Sequence, residues 1–444
     1  MQMQKKLTWV WLLLGLGNKL QLVASLSITE LIVIISAPFI FFKAYPQMKR
    51  DGIMPFFWLS ILVIIGCVVA SIANKTELPF VIRGLAVTCL ISCSIIFSHW
   101  LLRHDPGGFK WFVIGAAFSM LLSTFVFKQA TEVTMLGESS EAIMGGPIFW
   151  IKRLGAFVSV PVVGWYLHMP WIANVTFPLF MSVFAVTTST SGRGASLRAI
   201  CFVALVIIGG KTRKSMSRIS RHFVSICVLV FCGVMAMYLL YKVAAQQNWL
   251  GEGARAKYER QTHGGQGGIG RLILGGRGES IIGLLACRDK PIIGWGPWAI
   301  DKNGYAEEFI ERFGTVEDLV HLQQTKIRAA KSGVLYGSGG LLSCHAYITE
   351  FWAWYGIFGL IFWLYVTFVL FRYLKQDVNA VPQWFAWLAC SVPGFLWNIF
   401  FNPLSERFGV PLFVVACLMA RAVRKGSFRL PWEMIAEIER VERR

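Results

Sequence analysis

Apolar runs of about twenty residues recur along the whole chain, separated by short connections, and a run of that length and character crosses a bilayer. The runs fall at 7–25, 27–43, 54–72, 79–98, 109–127, 148–168, 171–189, 196–210, 222–242, 346–374, 384–402 and 408–422. They predict an all-α polytopic membrane protein of about twelve transmembrane helices. Lys19 interrupts the first run, and Lys152 and Arg153 lie in the sixth. With 55% hydrophobic residues and a mean hydropathy of +0.57 over 444 residues, a soluble enzyme is excluded.

The formal net charge of +19 raises the question of nucleic acid, and the distribution of the basic residues answers it. They cluster in the short segments between apolar runs, which is the positive-inside pattern, with attraction to anionic lipid as a by-product. Lys211 to Arg221 carries five positive charges and no negative one, so that connection is expected in the cytoplasm. Lys43, Lys49 and Arg50 then fall on the same side, as do Arg103 and Lys110, Arg372 and Lys375, and Arg421, Arg424 and Lys425. The 18 Trp and 34 Phe suit bilayer interfaces and packed spans rather than a base-stacking surface.

This topology divides the chain into an N-terminal bundle of about nine spans (1–242), a long extracytoplasmic loop (243–345), three further spans (346–422) and a basic amphipathic tail (423–444) lying on the cytoplasmic leaflet. A connection as long as 243–345 argues for function or a folded lid. Two helices are expected in it, at Tyr305 to Phe313 and Thr315 to Ala330, on the spacing of their apolar positions. No CxxC or Cys/His cluster has metal-ligand spacing, and eight of the ten cysteines fall within spans, where a thiol packs as a small hydrophobe.

Three features that can do chemistry are expected on the extracytoplasmic side. Thr190 to Arg198 is a small-residue turn that holds Arg193 at the bilayer surface, with Arg198 close behind. Arg193 either snorkels or, flanked by glycines, presents its fork to an anion's oxygens. Gly275-Gly-Arg277-Gly opens an apolar helix that Asp289-Lys-Pro ends, and a helix start beside an arginine favours a phosphate. His345 stands where the Gly-rich stretch from Gly337 meets the span 346–374. It either marks the interface or, near neutral pH, removes a proton from a hydroxyl. Glu350 lies five residues further on, more than one helical turn and poorly placed for a direct same-face partner, with a role as orienter of His345 left open. Asp-x-Asp occurs nowhere, so no site for Mg²⁺ or Mn²⁺ is expected and no cofactor; arginine would take the place of metal against a diphosphate.

The order of these motifs resembles the O-antigen ligase and O-antigen polymerase superfamily. Ser-Gly-Arg-Gly-Ala-Ser follows a span, then Arg277 precedes Pro-Ile-Ile-Gly-Trp-Gly, then His-x-Tyr-Ile-x-Glu-Phe runs into Tyr-Gly-Ile-Phe-Gly. The resemblance covers roughly residues 190–365, and the expected layout extends it to the chain. It implies a metal-independent glycosyltransferase of GT-C-like fold in the bacterial inner membrane, acting on the periplasmic face. The implied donor is a glycan on undecaprenyl diphosphate, and the implied acceptor is a hydroxyl of a growing glycan, a lipid core or a protein. Polysaccharide assembly partners are implied too. By position, Arg193 and Arg277 would bind the diphosphate, with Arg198 beside them, and His345 would activate the acceptor. Residue 346 is Ala where the family often has Asn, and 192 is Gly where Ser often precedes the arginine.

Cys287 and Cys344, the only thiols of the loop, would clamp the Arg277 segment beside His345 if they paired; alternatively Cys344 is a buried lid residue. A transporter or lipid-linked sugar flippase is the competing class, and it would carry mid-span charges and discontinuous helices.

Overall fold

The computed structural model describes residues 2–17, 21–23, 26–108, 278–313, 346–374 and 407–424, with short pieces within 111–119, 239–259, 342–344 and 392–400. Helix α1 (Gln2–Gly17) stops short of the run 7–25 read from sequence, and the strands β1 (Gln21–Val23) and β2 (Leu26–Ser27) pair antiparallel after it. Three long helices follow: α2 (Ile28–Asp51), α3 (Met54–Ala73) and α4 (Leu78–His104). After them come α5 (Gly278–Asp289), α6 (Tyr305–Phe313), α7 (Tyr347–Tyr355), α8 (Ile357–Leu374) and α9 (Gly409–Arg424). The expected runs 148–168, 171–189 and 196–210 lie outside the described residues, as do nearly all of 222–242 and the helix expected at Thr315 to Ala330.

Each long helix has an identifiable start and stop. Ser27 and Glu30 form a capping box at the head of α2, with the Ser27 hydroxyl accepting from the Glu30 amide at 3.2 Å and the Glu30 carboxylate from the Ser27 amide at 2.8 Å. Gly52 closes α2 at φ 75°, and Pro55 and Pro79 sit in the first turns of α3 and α4, where the missing N–H costs nothing. Among the described residues α2, α3 and α4 are long and apolar enough to cross a membrane. Their outer faces leave large side chains uncovered, Phe39 at 79% and Phe42 at 83% exposure, as a lipid-facing surface does. The described part is therefore that of an α-helical membrane protein.

α3 and α4 run antiparallel, with Ser60 and Ser92 sharing a hydrogen bond of 2.8 Å and Gly84 close to Cys67. α8 runs antiparallel to α3: Gly66 lies against Phe358, while Phe56 stacks on Phe362 at 5.5 Å.

One expectation is corrected here. The run 346–374 is not one span. It is two helices broken at Gly356, which takes φ 64° and ψ −146°. Tyr347 packs on Trp363 at 5.0 Å and Phe351 on Phe362 at 6.1 Å, so α7 folds back along α8 as an antiparallel hairpin. Gly359 permits that approach, since a Cβ there would stand 2.2 Å from the Phe351 carbonyl oxygen.

Candidate functional site

Arg193, Arg198, Arg277 and His345 all lie outside the described residues. Their chain neighbours do not. Gly278 is the first residue of α5, and Cys344 and Ala346 flank position 345.

α5 and α7 lie side by side and point the same way. A Cβ on Gly283 would come within 2.8 Å of the Cys344 sulfur, and one turn further on the Cys287 thiol donates to the Thr349 carbonyl at 3.9 Å. The small residues of α5 thus meet the entry to α7, which is why Gly283 and Cys287 stand where larger side chains would hold the backbones apart. The two helices consequently run parallel, with α7 beginning level with the second half of α5.

At the other end the Pro-Ile-Ile-Gly-Trp-Gly segment closes the Gly356 break. The Trp295 amide donates to the Ala353 carbonyl at 2.7 Å and the Gly296 amide to that of Trp354 at 3.0 Å, meeting carbonyls that α7 leaves without helical partners. The Ile357 amide, first in α8, donates to the Ile292 carbonyl at 2.9 Å. These contacts are backbone to backbone, so Gly294 (φ 79°) and Gly356 are close to obligatory; a Cβ on Gly356 would stand 1.9 Å from the Ile292 oxygen. Indole donors add to the seal: Trp352 to the Pro291 carbonyl and Trp295 to that of Ala286, both at 2.9 Å, with Trp298 against Trp354 at 4.7 Å. Asn74, from the turn between α3 and α4, donates to the Gly294 carbonyl at 3.0 Å and accepts from Lys290. The segment is thereby tied to the long helices as well.

The start of α7 is buried and has no side-chain cap. Ala346, in extended conformation, occupies the N-cap position, and the Thr349 hydroxyl turns back to the carbonyls of Cys344 at 3.1 Å and Ala346 at 3.2 Å. Glu350 lies in the first turn of α7, its amide bonded to the Ala346 carbonyl at 2.8 Å.

No disulfide joins Cys287 and Cys344. Each sulfur instead lies 3.9 Å from a main-chain carbonyl, that of Thr349 and that of Leu342 respectively. Burial pushes the Cys287 thiol up to about 12, so it packs as a neutral group and is no nucleophile near neutral pH. Beside α5, Asp289 accepts from Arg288 at 2.9 Å and from the Tyr305 hydroxyl at 2.7 Å, and these bonds, Arg288 first, hold its carboxyl below the usual range. Burial and the Asp289 contact raise the Tyr305 hydroxyl. Asp301 caps α6 by accepting from the amides of Tyr305 and Ala306, both at 2.9 Å. Among the described residues no three His, Cys, Asp or Glu side chains group as metal ligands.

One charged cluster escaped sequence reading. Asp51, at the end of α2, accepts on a single oxygen from His99 at 2.8 Å and Arg103 at 2.5 Å, both on α4. The Asp51 and His99 side chains are fully buried. Their separation in the chain gives no local signal; a lone acid at the end of an apolar run was the only hint.

The described residues thus define a helical membrane protein with a broken-helix hairpin braced by its own loop. No family model matches the chain, and no curated protein and no solved structure matches it either.

Proposed function

We propose that the chain is a glycosyltransferase of about twelve spans and GT-C-like fold. It moves a glycan from undecaprenyl diphosphate to a hydroxyl on the periplasmic face of the bacterial inner membrane, as an O-antigen or exopolysaccharide polymerase or an O-antigen ligase. The observation that supports this reading is the shared direction of α5 and α7. Arg277 precedes α5 and His345 precedes the α7 cap; the two helices run parallel in one packed pair, and Cys344, the chain neighbour of His345, lies against Gly283 of α5.

In the proposed reaction Arg277 and Arg193, with Arg198 beside them, hold the diphosphate through charge-assisted hydrogen bonds and stabilise the charge that grows on it as it leaves. His345 takes the proton of the acceptor hydroxyl. The hydroxyl oxygen bonds to the anomeric carbon while the bond from that carbon to the diphosphate breaks, so undecaprenyl diphosphate departs and the proton rests on the imidazole.

The break at Gly356 is also an observation that favours the competing class, since transporters build sites at discontinuous helices. The carbonyls freed at this break are, however, taken by the amides of Trp295 and Gly296, which leaves them closed to a substrate. The transferase reading is the stronger for that.

The test is transfer in detergent. Purified protein supplied with a diphosphate-linked glycan and an acceptor is expected to consume the donor in EDTA with no sealed compartment. His345→Ala and Arg277→Ala are each expected to abolish transfer while still inserting. Near-normal product from either variant removes that residue from the reaction, and consumption only in sealed vesicles returns the choice to transport.

A further inference from the structure

The connection between α5 and α6 presents two large apolar side chains to its surroundings. Ile292 is 68% and Ile293 44% exposed. Turns that face water favour Gly, Pro, Asn, Asp and Ser, so a pair of isoleucines there needs a reason. Exposure alone does not supply one, and the level of the pair in the molecule decides.

α3 fixes that level. Its 20 residues carry no charge and measure about 30 Å, the thickness of a hydrocarbon core, so Ala73 marks the boundary at the α3–α4 turn. α4 is longer, at 27 residues, and its excess lies at the far end, where Asp51, His99 and Arg103 gather. Lys290 and Gly294 sit at the boundary, both held by Asn74. Their neighbours lie deeper. Gly84, beside Cys67 within the spans, packs so closely on Pro297 that a Cβ would stand 2.5 Å from its ring. Gly66 lies against the Tyr355 carbonyl, and Ile357, two residues on, donates its amide to the Ile292 carbonyl. Since Gly66 precedes Ala73 by two helical turns, the turn 291–297 reaches about 10 Å inside the boundary.

Its backbone suits that place. Lipid offers no hydrogen bonds, so a segment at this depth must satisfy its polar groups within the protein. The Gly294 amide donates to the Lys290 carbonyl at 3.1 Å. The carbonyls of Pro291, Ile292 and Gly294 and the amides of Trp295 and Gly296 have the partners described above. The polar end of the turn stays at the boundary, where the Lys290 ammonium lies 3.9 Å from the centre of the Trp295 ring, a pairing suited to headgroup level. Ile72, Leu78 and Ile82 are exposed at the same end of α3 and α4, so the surroundings there are apolar. Arg83, exposed next to Ile82, has a stem long enough to carry its guanidinium up to the headgroups.

We infer that the turn 291–297 is inserted in the bilayer: Ile292 and Ile293 contact lipid acyl chains and continue the lipid-facing surface of α3 and α4, while Lys290 remains among the headgroups. The connection is thus anchored in the membrane as well as to the protein. This holds whatever reaction the chain performs.

The test is a photochemical ruler on the full chain. The photoreactive residue p-benzoylphenylalanine replaces Ile292, Ile293, Ile82 or Lys302, one at a time, and each protein is irradiated in phosphatidylglycerol nanodiscs and weighed intact. Ile82 reports the surface of a span, and Lys302, exposed in the same connection, reports water. A gain of one lipid mass is expected at Ile292 and Ile293, as at Ile82, and none at Lys302, with fragmentation placing the link on the acyl chain. Unsubstituted mass at Ile292 and Ile293, a link to the headgroup alone, or a link to another part of this chain or to a second copy overturns the inference. Melting in nanodiscs gives an independent check that needs no bulky probe. The double variant Ile292→Asn, Ile293→Asn is expected to melt below the wild type, because two amides then enter hydrocarbon. An unchanged or higher melting temperature places the pair in water and overturns the inference as well.

Discussion

Asp51 carries the heaviest local demand of any described side chain. One of its carboxylate oxygens receives both His99 and Arg103, in a site where neither Asp51 nor His99 has any exposed surface. Removing one member of such a group strands the others, at a cost of about 3–5 kcal/mol. Asp51→Ala is expected to lower stability by that order, and Asp51→Ala with Arg103→Met to recover part of it; detergent unfolding of the two variants checks both. The glycines offer a graded comparison at the same scale. Gly52 has a left-handed φ of 75° but open space around it, so Gly52→Ala should cost only about 1 kcal/mol. Gly356 has both the unusual backbone and the Ile292 oxygen in the way, so Gly356→Ala is expected to be several times more costly and to reduce the yield of folded protein.

Among the elements, α5 was the most legible. Arg277-Gly opens it and Asp289-Lys290-Pro291 ends it because proline excludes the helical conformation from the residue before it, and the observed limits are Gly278–Asp289. The expected helix at Tyr305 to Phe313 is likewise found as α6. The hairpin of α7 and α8 was not legible, because apolar residues continue on both sides of Gly356 and a length rule merges what a backbone turn divides. The spacing of Gly356 and Gly359 was the available signal, and its meaning depended on Ile292 and Phe351, which no local window contains. The Cys287–Cys344 clamp does not form: both thiols are free and set against different carbonyls, and Cys344 is buried, the alternative the sequence left open. Non-reducing peptide maps are therefore expected to show no link between these two thiols. The α5–α6 junction has its own acid limit. Asp289 is held below its ordinary pKa, so its contribution is present above the unfolded value and is lost as pH falls through the lower folded one. Amide exchange of α6 is expected to rise only below about pH 4, and Asp289→Asn to remove that dependence.

For the molecule as a whole, composition and the spacing of apolar runs were enough to place the chain in a membrane, because burying so much apolar surface in a lone soluble core is not feasible. They were not enough to bring distant polar groups together, and Asn74 illustrates why. It reads as an ordinary turn residue, yet it joins the α3–α4 turn to Lys290 and Gly294, 216 and 220 residues further on. The loop that Asn74 holds has a consequence for biogenesis. Pro291 and its indole partner Trp352 are 61 residues apart, so the nascent chain exposes the whole Ile292–Gly296 stretch before its counterpart leaves the ribosome. Until Ala353, Trp354 and Ile357 arrive, the amides of Trp295 and Gly296 and the carbonyl of Ile292 lack these partners. The hairpin must therefore settle late in synthesis, onto a surface already waiting for it.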